Sequence, residues 1–159
     1  MSTELAAEVV CALADRGLTL GTAESLTGGG VGAALTSVPG SSAAYVGGVI
    51  SYATRVKVDL LGVPLEIVLG DGVVSAPCAR AMAAGIRRVL GVDVAVATTG
   101  VAGPDRQEGK PAGTVFVAVA DGRGESVRSL HLAGDREAVR SATTSAALEL
   151  VRDRISAIP

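Results

Sequence analysis

Histidine is almost absent from this 159-residue chain: His131 is the only one. That count leaves no HExxH-type zinc site, and any histidine-dependent triad rests on one residue in "SLHLAG", a run that reads as a strand. Cysteine is nearly as scarce. Cys11 and Cys78 lie in no CxxC pair and near no histidine, so both are expected to be buried small apolar residues rather than ligands or a disulfide. Tryptophan is missing and aromatics supply 2% of the chain, so the core must be built from Ala, Val and Leu. An excess of positive charge is lacking too. With 14 basic against 16 acidic residues there is no field to hold a polynucleotide backbone, and nucleic acid is not an expected partner. No segment approaches the roughly 20 uninterrupted apolar residues of a membrane span. The opening "MSTELAAEVVCALADRG" is broken by Glu4, Glu8, Asp15 and Arg16, unlike a signal peptide. The expectation is a soluble, cytoplasmic protein with no membrane association, folded as a single domain over residues 1–159.

What the chain does have is alternation of helical and strand patterns. Leu5, Val9, Ala12 and Leu13 share one helical face, with Ser2 or Thr3 as cap and Gly17 as stop. "LTLGTA" reads as a first strand, "VGAALTSV" as a helix stopped by Pro39-Gly40, and "YVGGVISYA" as a second strand. "TRVKVDLLG" has helical spacing. "VPLEIVLGDGVVS" reads as a short helix and loop, and "APCARAMAAGIRRVL" as a long helix with Pro77 in its first turn and Gly91 after its end. "VDVAVATTGVAG", "GTVFVAVAD" and "GESVRSLHLAG" are β-prone, the last two joined by a hairpin at Asp121-Gly122. A final helix begins after Asp135. This order predicts an α/β protein: a three-layer α/β/α sandwich around a mixed, mostly parallel sheet. Ligands in such sheets gather beyond the carboxyl ends of the strands. Two loops have that placement, one with Ser25 and one with Thr99 and Gly100.

The first of these loops is "TAESLTGGG", residues 22–30. It matches neither GxxxxGK[ST] nor GxGxxG, and three readings stay open: a strand-to-helix turn, an anion site of free N–H groups, or the seat of a nucleophile. A serine nucleophile needs a base. Among 14 basic residues there are twelve arginines and two lysines, Lys57 and Lys110. Arginine does not release its proton in a protein, whereas a desolvated lysine does, so Lys57 is a reasonable base unless it is merely a surface residue. Tyr52, at the end of the second strand, is placed to bond the serine or the amine, or to pack. "ATTGVAGPD" brings Thr98, Thr99 and Gly100 to the same mouth. "EGKPAG", with Lys110, reads as a rigid loop.

Taken in order, "TAESLTGG", "VPGSSAAYVGGVISYATRVKVDLLGV", "TTGVAGPD", "KPAGTVFVAVA" and "GDREAVR" resemble the motifs of the CinA carboxy-terminal domain family, the nicotinamide-mononucleotide amidases of PncC type. The resemblance covers nearly the whole chain. It implies hydrolysis of the nicotinamide carboxamide of nicotinamide mononucleotide to the acid and ammonia, without cofactor or metal. It also implies Ser25 as nucleophile, Lys57 as general base, and Tyr52 and Thr99 as polar partners. Substrate contacts are expected from Glu24, Thr27, Gly28, Gly29, Gly100, Lys110 and Arg136, with N–H groups near Thr27 and Gly28 for the oxyanion. Arg136, Arg140 and Lys110 are the charges available for a phosphate. Three positions depart from the family pattern: Leu26 where cysteine is common, Ala53–Arg55 after Tyr52, and the Asp105–Lys110 loop where glycines are frequent. The partner is a small pyridine nucleotide, and a homo-oligomer is expected. Many members carry a further amino-terminal domain, and a stand-alone amidase is the expectation here. Two non-catalytic readings stand beside this one: a nucleotide-binding module and a competence- or damage-related interaction protein.

Overall fold

The computed structural model describes residues 2–159. Five strands form one sheet: β1 (Leu20–Glu24), β2 (Tyr45–Ile50), β3 (Val94–Gly100), β4 (Thr114–Asp121) and β5 (Gly124–His131), in the order β2-β1-β3-β4-β5. β2, β1 and β3 are mutually parallel, while β4 runs antiparallel to both β3 and β5. Four strands thus point one way, and the sheet is mixed and mostly parallel as the element order required. Helices α1 (Ser2–Ala14), α2 (Gly30–Thr36) and α6 (Arg136–Ser156) cover one face. Helix α5 (Ala76–Leu90) covers the other, with the short α3 (Thr54–Asp59) and α4 (Leu65–Leu69) beside it.

Which face receives which helix follows from the side chains that alternate along the central strands. Val94 and Val96 of β3 and Val115, Val117 and Val119 of β4 point to α1 and α6, whereas Ala95, Ala97, Ala118 and Ala120 point to α5. The alanine face lets α5 approach closely. Gly85 extends that economy on the helix itself, since a Cβ there would lie 2.0 Å from the carbonyl oxygen of Leu61.

Local signals set the helix ends. Ser75 Oγ accepts from the N–H of Cys78 at 3.2 Å to cap α5, and Gly91 closes that helix in the left-handed region. Asp135 Oδ1 accepts from the N–H of Ala138 at 2.9 Å to cap α6. Three expectations need correction. Helix α1 already includes Ser2 and Thr3, so neither is its flanking cap. Cys11 is exposed, because it falls on the solvent face of α1, while Cys78 is buried as expected. In the β4–β5 hairpin Asp121 is the last paired residue rather than a turn centre. Its carboxylate is 8% exposed and holds both Arg123 and Arg154 at 2.7 Å, fastening the hairpin to α6. No described helix is long and apolar enough to cross a membrane.

Candidate active site

Beyond the carboxyl ends of β1, β2 and β3 lies a cleft of about 430 Å³, whose walls include Ser25, Leu26, Tyr52, Lys57, Thr99, Gly100, Arg106 and Arg136. Ser25 follows β1 directly. Its N–H donates to the carbonyl of Thr98 at 3.0 Å, extending the β1–β3 ladder by one rung. The chain then turns sharply: Gly28 and Gly29 adopt φ of 58° and 102°, values that side-chain-bearing residues rarely take, and α2 starts at Gly30.

Lys57 reaches the serine from α3. Although α3 is short and near the surface, the Lys57 side chain runs inward and is 1% exposed. Its Nζ lies 3.0 Å from Ser25 Oγ, 2.6 Å from the Ser51 carbonyl oxygen and 3.2 Å from that of Tyr52. A neutral amine has two protons and one lone pair. As an ammonium Nζ donates to all three oxygens; in the neutral form, with its two protons on the carbonyls, the lone pair would face the Ser25 hydroxyl. Burial lowers the lysine's affinity for a third proton, opposed by Cys78 and by the Glu108 carboxylate. The Cys78 thiol is itself pushed up to about 11, chiefly by burial.

The turn after Ser25 has free and committed donors. The N–H of Gly28 donates to the Ser25 carbonyl and that of Gly30 to the Thr27 carbonyl, which corrects the expectation that the Gly28 N–H is available to an oxyanion. Among the described residues the N–H of Leu26 has no acceptor, and Leu26 lines the cleft. The N–H groups of Thr27 and Gly29 have no acceptor either, but neither residue lines the cleft, so the free donor at the cleft is that of the residue immediately after the serine.

Several expected substrate contacts face elsewhere. Glu24 is 3% exposed, and its carboxylate accepts from Thr27 Oγ1 (2.7 Å) and from the N–H groups of Val31 (2.8 Å) and Gly32 (3.0 Å). It neutralises the start of α2 and shapes the turn. Thr27 is buried, bonded to Glu24 and, at 2.8 Å, to Thr98 Oγ1. Gly28 and Gly29 lie behind the serine rather than on the cleft wall. Lys110 is not on the wall either: its Nζ donates to the Val74 carbonyl. Gly100 and Arg136 line the cleft.

Tyr52 contributes its carbonyl to Lys57, whereas its exposed hydroxyl accepts from Arg136 Nη2 at 3.3 Å instead of meeting the serine. The Thr99 hydroxyl donates to the Val73 carbonyl at 2.7 Å, tying β3 to the segment before α5. Glu108 grips the same segment, accepting from the N–H groups of Val73 (3.0 Å) and Val74 (2.8 Å). With Lys110 it anchors the loop that presents Arg106 and Gln107 to the cleft. His131 is exposed at the end of β5 and does not line the cleft. The residues that sequence reasoning missed are Ser51, Glu108 and Arg106; Arg140, expected as a charge for a phosphate, clamps the turn after Ser25 from behind, as described below. Ser51 is fully buried, and its hydroxyl has no partner.

A five-stranded mixed sheet between two helical layers, with a buried serine–lysine pair in the cleft at its carboxyl edge, defines a three-layer α/β/α protein. The chain belongs to the CinA C-terminal domain family, which it matches over residues 2–155. It is 48% identical over 147 residues to the CinA-like protein of Frankia casuarinae, covering 92% of this chain and 34% of that protein. Among solved structures, the competence damage-inducible protein A of Klebsiella pneumoniae superposes with a TM-score of 0.96 at 36% identity over 99% of each chain. A CinA superfamily protein of Escherichia coli gives 0.93 at 31% identity, over 96% of this chain and 90% of the other. The chain spans about a third of the length of the curated relatives it matches.

Proposed function

We propose that the cleft is the active site of an amidohydrolase that converts nicotinamide mononucleotide to nicotinic acid mononucleotide and ammonia, with Ser25 as nucleophile and Lys57 as base. The observation that carries this reading is the buried Lys57 Nζ, 3.0 Å from Ser25 Oγ and held by the carbonyls of Ser51 and Tyr52. The family resemblance supplies the substrate.

In this mechanism Ser25 Oγ attacks the carboxamide carbon as its proton passes to Lys57, and the oxyanion that develops takes the N–H of Leu26. Lys57 returns the proton to the departing nitrogen. The C–N bond breaks, ammonia leaves and an ester to Ser25 remains. Water then attacks that ester with Lys57 again as base, and the carboxylic acid is released. The substrate's cationic pyridinium favours the neutral amine further. Arg136, whose guanidinium reaches the Gly103 carbonyl (2.7 Å) and the Tyr52 hydroxyl, and Arg106 are the cleft cations suited to the 5′-phosphate.

Ammonia release from the mononucleotide, its riboside and the dinucleotide tests the reading. Wild type is expected to act on the mononucleotide, and Ser25→Ala and Lys57→Ala are each expected to lose activity while Ser25→Ala still binds substrate. Ammonia release by Ser25→Ala at the wild-type rate would sink it.

A further inference from the structure

We propose that Arg140 is a positioning residue that polarises the oxyanion donor of this site through two peptide groups in series; the inference rests on the amidase reading above. Arg140 lies on α6, one turn beyond Arg136, yet it does not face the cleft. It reaches the back of the nucleophile turn. Its Nε donates to the Leu26 carbonyl at 3.0 Å, its Nη2 to the Thr27 carbonyl at 3.2 Å, and its Nη1 to Glu137 Oε2 at 3.3 Å.

The consequence comes from peptide planarity, which places each N–H opposite the carbonyl of the same group. The Thr27 carbonyl held by Arg140 shares its peptide with the N–H of Gly28. That N–H donates to the Ser25 carbonyl at 3.1 Å. The Ser25 carbonyl in turn shares its peptide with the N–H of Leu26, the free donor at the cleft. A cation, two aligned peptide dipoles and one open N–H thus form a single chain, and each bond in such a chain strengthens the next. The arrangement delivers part of the guanidinium's field to the point where negative charge develops, although the guanidinium itself stays behind the turn. The second bond, to the Leu26 carbonyl, fixes the intervening residue so that the chain cannot rotate out of line. Gly28 keeps the route open: a Cβ at that position would stand 3.4 Å from Arg140 Nη2, and its φ of 58° is one that glycine adopts freely.

Arg140→Gln and Arg140→Lys test this in the full chain. Gln is expected to lower kcat by about 10–100-fold with KM changed less than threefold, a smaller loss than the 10²–10³ typical when an oxyanion donor is removed outright. Lys keeps the charge without the forked geometry and is expected to recover part of the rate. Since 36% of the Arg140 side chain is open to solvent, millimolar guanidinium is expected to restore activity to Arg140→Ala. A raised KM with unchanged kcat would instead make Arg140 a substrate contact and overturn the proposal. The readout that does not need turnover is the amide spectrum: loss of the cation is expected to move the Leu26 and Gly28 N–H protons upfield in a variant whose remaining spectrum is unchanged. If wild type released no ammonia, the amidase reading would fail while this shift still tested the relay. Unmoved Leu26 and Gly28 signals in Arg140→Gln would sink the relay itself, and if Gln fails to fold the same comparison is read on Arg140→Ala, which also lacks the cation.

Discussion

The Nζ of Lys57 lies 2.6 Å from the carbonyl oxygen of Ser51, nearer than the 3.0 Å that separates it from Ser25 Oγ. The proposed base is therefore held by the main chain just after β2, and the serine meets an amine already oriented. Retaining positive charge at this position is not enough, because a guanidinium has no lone pair to offer and keeps its proton. Lys57→Arg is expected to reduce kcat by at least about 10³-fold in the ammonia assay, within the range that general-base catalysis contributes. Near-wild-type turnover would contradict the assignment.

The pH dependence follows from the same group. Lys57 acts as base only when neutral, so kcat/KM rises with pH, and burial sets the midpoint of that rise below the roughly 10.4 of free lysine. Glu108 opposes this by favouring the ammonium. In Glu108→Gln that charge is gone, the proton is held less tightly, and the rising limb moves to lower pH. A limb that moves to higher pH would show that the loop's geometry, and not its charge, governs Lys57.

At the far edge of the sheet, Asp121 serves stability. Its two arginines, Arg154 foremost, hold its carboxyl well below the usual carboxylate range. A depressed folded-state value contributes stability above the unfolded pKa of about 3.9, lost as pH falls through the folded one. Asp121→Asn is expected to cost about 2–3 kcal/mol near neutral pH, measured by denaturant unfolding. The gap from wild type should begin to narrow below about pH 4.

Gly85→Ala separates propensity from packing. Alanine is favoured over glycine by about 1 kcal/mol inside a helix, which taken alone predicts a gain. The new methyl would meet the Leu61 carbonyl, which also accepts from Arg88 at 3.0 Å. Net destabilisation of about 1–3 kcal/mol is expected, read as a lower Tm.

Much of the architecture was legible because its signals are local. The Val-Ala alternation of "VAVA" and "VFVAVA" marks two buried faces, and Ser75, Gly91 and Asp135 punctuate the helices where they stand. The serine and its lysine were legible through scarcity, since a chain that uses arginine for charge leaves Lys57 conspicuous. Direction was not. Glu24 and Lys110 look like cleft residues in sequence, but hydrogen-bonding groups near in space and far in sequence turn one to the start of α2 and the other to the Val74 carbonyl. Glu108 gave no signal and Arg140 showed only as a charge, because each acts on main-chain atoms of another segment, and a main-chain partner leaves no pattern in side-chain identities.

Ser25 hangs from the sheet by its own N–H, bonded to the Thr98 carbonyl one rung past the end of β1. A residue attached in this way leaves its place only when the strands beneath it separate. In hydrogen-exchange terms the Ser25 amide belongs with the slowest protons of β1 and β3, while its side chain faces an open cleft. A rearrangement of the loops that carry Tyr52 and Arg106 would then leave the Ser25 backbone in place.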